Sequence, residues 1–172
     1  MIDKKLIAVI KKGGVGVLPT DTIYGLVGSA LSQKTVERIY RIRRRNPKKP
    51  VIVLIAALAD LRRFGVKPAP RVKVFLKKIW PGPYSVVLSC PHKKFAYLHR
   101  GTETLAFRLP EPKWLRELLR ATGPLVAPSA NPEGKPPAKN IAEAKKYFGE
   151  KADFYMHGVT HGAPSTLLEV KR

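Results

Sequence analysis

An α/β fold is what this sequence predicts: one domain covering residues 1–172, with a mixed sheet flanked by helices. Apolar strand-like runs alternate along the chain with stretches of helical periodicity. Several connections between the runs are short enough for hairpins, which favours a mixed over a purely parallel sheet. No repeat, low-complexity tract or long linker divides the 172 residues, and a chain of this length buries roughly 70% of the surface it exposes unfolded.

In order, the first helix is expected at Lys4–Lys12. Gly13-Gly14-Val15-Gly16 then precedes a strand at Gly14–Pro19 rather than opening a helix, so it reads as a turn and not a phosphate loop. A second helix, Gln33–Arg44, has Ser32 to cap its first N–H groups. Asn46-Pro47 ends it, because a residue before proline is pushed out of the helical region. Strands follow at Val51–Ala56, Tyr84–Cys90, Thr104–Leu109, Leu125–Pro128, Phe154–His157 and Thr166–Val170. The remaining helices fall at Leu58–Phe64, Ala69–Ile79, Lys113–Ala121 and Ile141–Phe148.

Composition narrows the function. One cysteine, Cys90, excludes an internal disulfide framework, and the four histidines have no zinc spacing. The run Val51–Ala59 is far short of the ~20 apolar residues of a membrane helix, and no secretory signal follows Met1; a soluble, cytoplasmic protein is expected. With 33 bases against 12 acids, the net charge of +21 points to an anionic partner such as nucleotide phosphates or RNA.

Seven of the twelve residues Arg38–Lys49 are basic. Most of such a run is solvated helix face. Arg43, however, follows Val36 by seven and Ile39 by four, on the apolar stripe, and a charge there is costly unless an anion or acid meets it.

The stretch Val17-Leu-Pro-Thr-Asp-Thr-Ile-Tyr-Gly-Leu-Val27 is apolar at both ends and polar in the middle. Three more segments hold polar residues at an apolar strand's end: Thr104-Leu-Ala-Phe-Arg108, Ala127-Pro-Ser-Ala-Asn131 and Ala163-Pro-Ser-Thr166. Ligands of open α/β sheets collect where strands end. Short hydroxyl and amide side chains give precise hydrogen bonds there, and arginine offers a fork for carboxylate or phosphate. Together with Arg43, Arg45 and Lys49, the four segments predict an anion-binding cleft. Walker and dinucleotide motifs are absent, as is a nucleophile elbow, so any catalysis rests on positioning and charge stabilisation.

In family order, the motifs PTDTIYGL, IYRIRRRNPKKP, WPGPYSVVL, AFRLP, PSANPEGKP and PST cover Gly13 to about Val170. The sequence therefore resembles the YrdC-like family of threonylcarbamoyl-AMP synthases. The resemblance implies a twisted mixed sheet around a basic cavity (the YrdC-like fold). It also implies a nucleotidyltransferase joining L-threonine, bicarbonate and ATP into threonylcarbamoyl-adenylate with release of pyrophosphate. A separate tRNA threonylcarbamoyl transferase would then modify an adenosine in tRNA. By resemblance, Thr22, Arg108 and Ser165 hold threonine, while Arg45, Lys49, Thr104, Ser129 and Asn131 face the nucleotide. Arg43, Arg45, Lys49 and a magnesium ion carried with ATP offset phosphate charge, no protein-bound metal site being implied. Asp21 and Tyr24 are expected to brace the loop.

Three departures from the family pattern stand out. Arg43-Arg44-Arg45 replaces Lys-x-Arg. Pro132-Glu133-Gly134 replaces a small residue and glycine, placing an acid beside the expected phosphates. The sequence stops at Arg172, before a further segment that carries a nucleotide-contacting arginine in other members. Two other readings stay open: a basic-cleft protein that binds transfer or double-stranded RNA, and a paralogue that keeps the pocket without adenylate synthesis.

Overall fold

The computed structural model describes residues 3–170. Helix α1 (Lys4–Lys11) starts from Asp3, whose side chain accepts from the Lys5 N–H, and leads into strand β1 (Gly16–Pro19). A tight turn returns the chain as β2 (Tyr24–Ser29), antiparallel to β1 with Pro19 opposite Tyr24. This strand was not expected from the sequence. Tyr-Gly-Leu-Val-Gly-Ser has no polar–apolar alternation because both its faces are buried, and its two glycines imitate turn signals. Gly28 is required by packing: a Cβ there would lie 2.5 Å from Thr35 Cγ2 on the next helix.

That helix, α2 (Gln33–Arg43), is capped by Ser32, which accepts from the Thr35 N–H at 3.3 Å. It ends earlier than Asn46-Pro47 would require, at Arg44, which takes the left-handed conformation (φ 50°). Strand β3 (Ile52–Leu54), a 3-10 turn (Leu58–Phe64), helix α3 (Pro70–Ile79) and strand β4 (Tyr84–Ser89) follow. The short helix α4 (Ala96–His99) is a second unexpected element. Then come β5 (Thr104–Arg108), α5 (Lys113–Thr122), β6 (Leu125–Val126), α6 (Ile141–Phe148), β7 (Phe154–Tyr155) and β8 (Thr166–Glu169).

The strands form one sheet in the order β7-β1-β2-β6-β3-β5-β4-β8. The β1·β7, β3·β5 and β4·β8 pairs are parallel and the rest antiparallel, as the mixed-sheet expectation required. The larger core, from Val15, Leu26, Ile39 and Val53 to Phe64, Phe107 and Phe148, lies under α2, α3 and α6. A second cluster, including Ile10, Leu18, Leu54, Leu115 and Leu118, is sealed by α1 and α5. Residues 156–165 link β7 to β8, the two opposite edges of the sheet. No helix among the described residues is long and apolar enough to cross a membrane.

Candidate functional site

The turn between β1 and β2 supplies the first polar groups. Thr20 Oγ1 donates to Ile23 O at 2.6 Å, so its proton is committed. In the 3.0 Å contact between the Thr20 and Thr22 hydroxyls, Thr22 is therefore the donor. Thr22 Oγ1 in turn accepts from Arg108 Nη1 at 2.7 Å. The chain Arg108 to Thr22 to Thr20 to Ile23 is thus ordered in one direction, and Thr22 keeps one lone pair for a ligand.

Arg108, at the end of β5, is 3% exposed, and its Nη2 lies 3.2 Å from Asp21 Oδ1. Asp21 Oδ2 accepts from the Glu111 N–H, and Asp21 is itself 4% exposed. Asp21 thus goes beyond the brace expected of it and is the counter-ion of the buried guanidinium. Burial pushes the Arg108 pKa down and Asp21 partly restores it. Arg108 Nε has no hydrogen-bond partner among the described residues. A buried, unpartnered cationic donor is a place for an anion.

These groups open on a pocket of about 210 Å³ lined by Thr20, Thr22, Arg45, Arg108, Ser129 and Ser165, with Ile52 and Ala127 among its apolar surface. That is smaller than a drug-sized ligand site and suits a molecule of amino-acid size. Pro164 and Ser165 of the 156–165 segment complete its wall, and the His161 and Gly162 N–H groups hold that segment to the turn, donating to Asp21 O (3.1 Å) and Thr22 O (2.9 Å). Tyr24 hydroxyl donates to Gly158 O at 2.7 Å, which gives Tyr24 the bracing role expected of it. Ser165 Oγ shares a 2.8 Å hydrogen bond with Ser85.

The basic run divides as its periodicity predicts. Arg43 is 3% exposed, but the groups that meet it are neutral: Nε donates to Asn131 O at 2.9 Å and Nη2 to Ser129 Oγ at 3.1 Å. Burial first, then Arg45, lowers its pKa to about 10, so it stays charged at neutral pH. Its Nη1 has no partner among the described residues. Arg45 lines the pocket, anchored by Nη2 to Pro50 O at 2.6 Å.

Four predicted residues lie outside the pocket lining: Arg43, Asn131, Lys49 and Thr104. Asn131 is consumed internally, accepting from Arg43 and donating to Pro132 O and Lys135 O, which fixes the turn after β6. Lys49 lies outside the pocket lining and pairs with Glu133. Thr104 shares a face of β5 with Arg108 but sits four residues back, about 13 Å away. It bonds Thr102 and lines a separate cavity of about 460 Å³.

The family model Sua5_yciO_yrdC, described as "Telomere recombination", matches residues 8–172. The chain belongs to the Sua5/YciO/YrdC family. A threonylcarbamoyl-AMP synthase of Bacillus subtilis is 33% identical over 164 residues, 93% of this chain and 46% of that protein. Another, of Marinobacter nauticus, is 32% identical over 92% of this chain and 85% of its own length. The crystal structure of P. abyssi Sua5 complexed with L-threonine superposes with a TM-score of 0.89 at 29% identity, covering 96% of this chain and 50% of that one. The chain thus spans about half of the Bacillus and P. abyssi relatives. The YrdC-like resemblance and its fold are thereby shown.

Within this family fold, sequence reasoning missed Arg100. Its guanidinium lies 3.8 Å from the centre of the Tyr40 ring, and Arg45 approaches the same ring at 5.8 Å. Nothing near Arg100 in sequence signals this, because the ring it covers is sixty residues earlier.

Proposed function

We propose that the protein synthesises threonylcarbamoyl-AMP from L-threonine, bicarbonate and ATP, as a nucleotidyltransferase serving threonylcarbamoyladenosine formation in tRNA. The observation that carries this reading is the buried Arg108–Asp21–Thr22 constellation facing a pocket of amino-acid size, with Arg108 Nε unpartnered. The threonine carboxylate takes that Nε–H, and its amino group donates to the remaining lone pair of Thr22, with Ser165 at the side chain. Condensation of the amine with bicarbonate, losing water, gives a carbamate. A carbamate oxygen then attacks the α-phosphorus in line, and the bond to pyrophosphate breaks.

Arg45 at the pocket wall and Lys49 on the same loop offset phosphate charge, Arg43 adds field through Ser129, to which it donates, and Ser129 faces the nucleotide. Among the described residues no group of three or more His, Cys, Asp or Glu could hold a metal, and Asp21 is committed to Arg108. A magnesium ion carried with ATP would supply charge neutralisation on its phosphates. The product passes to a separate tRNA threonylcarbamoyl transferase.

Incubation with ATP, magnesium, L-threonine and labelled bicarbonate tests this, with serine replacing threonine as control. Threonine-dependent labelled adenylate and pyrophosphate are expected; threonine and ATP binding without product would instead support a paralogue lacking synthesis. The charge of +21 favours a second reading, RNA binding without chemistry. In that case neither ligand binds, while RNA affinity falls linearly on a log–log salt plot.

A further inference from the structure

The turn after Asn131 brings an acid onto the basic loop that follows α2. The Glu133 carboxylate accepts from the Asn46 backbone N–H through one oxygen and from the Lys49 ammonium through the other. The Glu133 N–H donates to Arg43 O at 2.8 Å, which fixes the approach. The Lys49 hydrogen bond first, then that from Asn46, with the charges of Lys49 and Arg45, hold the carboxyl below the usual carboxylate range. Arg44, Arg45, Lys48 and Lys49 all belong to that loop, and Glu133 makes the one acid–base pair there among the described residues. A backbone N–H, an ammonium and a neighbouring guanidinium are the donor set that binds phosphate oxygens.

We propose that Glu133 occupies the phosphate-binding position of the nucleotide subsite in the ligand-free protein and is displaced when a polyphosphate enters. This rests on the nucleotide reading above. A carboxylate has the acceptor geometry of a phosphate edge with less charge, so a polyphosphate outcompetes it without being held tightly. The same competition lowers affinity for ATP and for pyrophosphate, and it refills the position as pyrophosphate leaves.

Two other roles for Glu133, a metal ligand or a simple tie between the turn and α2, predict weaker binding when it is removed. Competition predicts tighter binding, so the sign decides. Titration calorimetry would compare wild type with Glu133→Gln, Glu133→Ala, Lys49→Ala and Glu133→Ala/Lys49→Ala. The probes are inorganic pyrophosphate and ATP, with and without magnesium, and L-threonine affinity checks that the pocket is intact. Glu133→Ala should bind both phosphate probes about three- to fivefold more tightly, and Lys49→Ala in the double variant should abolish the gain. Unchanged or weaker binding by Glu133→Ala, with wild type binding ATP, overturns the competition alone. Failure of every protein to bind ATP or pyrophosphate overturns the nucleotide reading and this inference together.

Discussion

Asp21 and Arg108 are a buried ion pair whose guanidinium lines the candidate pocket, so their substitution carries a stability cost as well as a binding one. Arg108→Ala leaves the Asp21 carboxylate buried without its partner and should destabilise by about 3–5 kcal/mol in urea unfolding. Asp21→Asn combined with Arg108→Met should recover most of that loss while still failing to bind threonine, which separates the two effects. Thr22→Val removes a hydroxyl that accepts from Arg108 and donates to Thr20. A charge-assisted hydrogen bond contributes about 1.5–3 kcal/mol, so the KM for threonine should rise about tenfold or more. At this scale the sequence was partly legible. The spacing of Val36, Ile39 and Arg43 foretold that Arg43 is buried, but its acceptors lie 86 and 88 residues away and no periodicity points to them. The Asp21–Arg108 pairing was hidden for the same reason.

Elements owe their positions to a few cross-links. Asp153, just before β7, accepts from Val15 N–H at 2.7 Å and pairs with Arg38 of α2 at 2.6 Å, joining the start of β1, the second helix and one sheet edge. The Arg38 hydrogen bond leads in holding the Asp153 carboxyl below its ordinary value of 3.8. A depressed folded-state pKa gives stability that is complete above the unfolded value and lost as pH falls through the folded one. Asp153→Asn should thus cost roughly 1 kcal/mol at pH 7, with exposure of the pair limiting the effect. The difference from wild type should close below about pH 4 in urea titrations repeated across pH. Gly28→Ala drives a methyl into Thr35 and Ile39, and an overpacking cost of about 1–3 kcal/mol should appear as a lower denaturation midpoint. Strands with branched residues and helices with caps were legible, Ser32 above all. β2 was not, because both its faces are buried and its Gly28 makes sense only when α2 is known to lie across it.

At the scale of the whole molecule, few of the many bases among the described residues are paired. Self-repulsion of this kind weakens a compact state and is screened by salt, so raising sodium chloride from 10 to about 300 mM should raise the melting temperature in calorimetry. Alternation of strand and helix made the mixed sheet legible, since each element's pattern is local. The strand order was not, because it depends on which edges the chain crosses between. The link from β7 to β8 shows what that order entails. Laid flat, eight strands about 4.8 Å apart would place the outer pair about 34 Å from each other. The eleven peptide steps from Tyr155 to Thr166 reach at most about 36–40 Å when fully extended. Yet this segment dips to the β1–β2 turn on its way, which consumes part of that reach. It therefore acts as a bowstring across a sheet that cannot lie flat, and its residues Pro164 and Ser165 line the hollow that is the candidate pocket. Cutting the string between Gly158 and Gly162 would let the bow relax, widening the hollow even though no lining side chain had been altered.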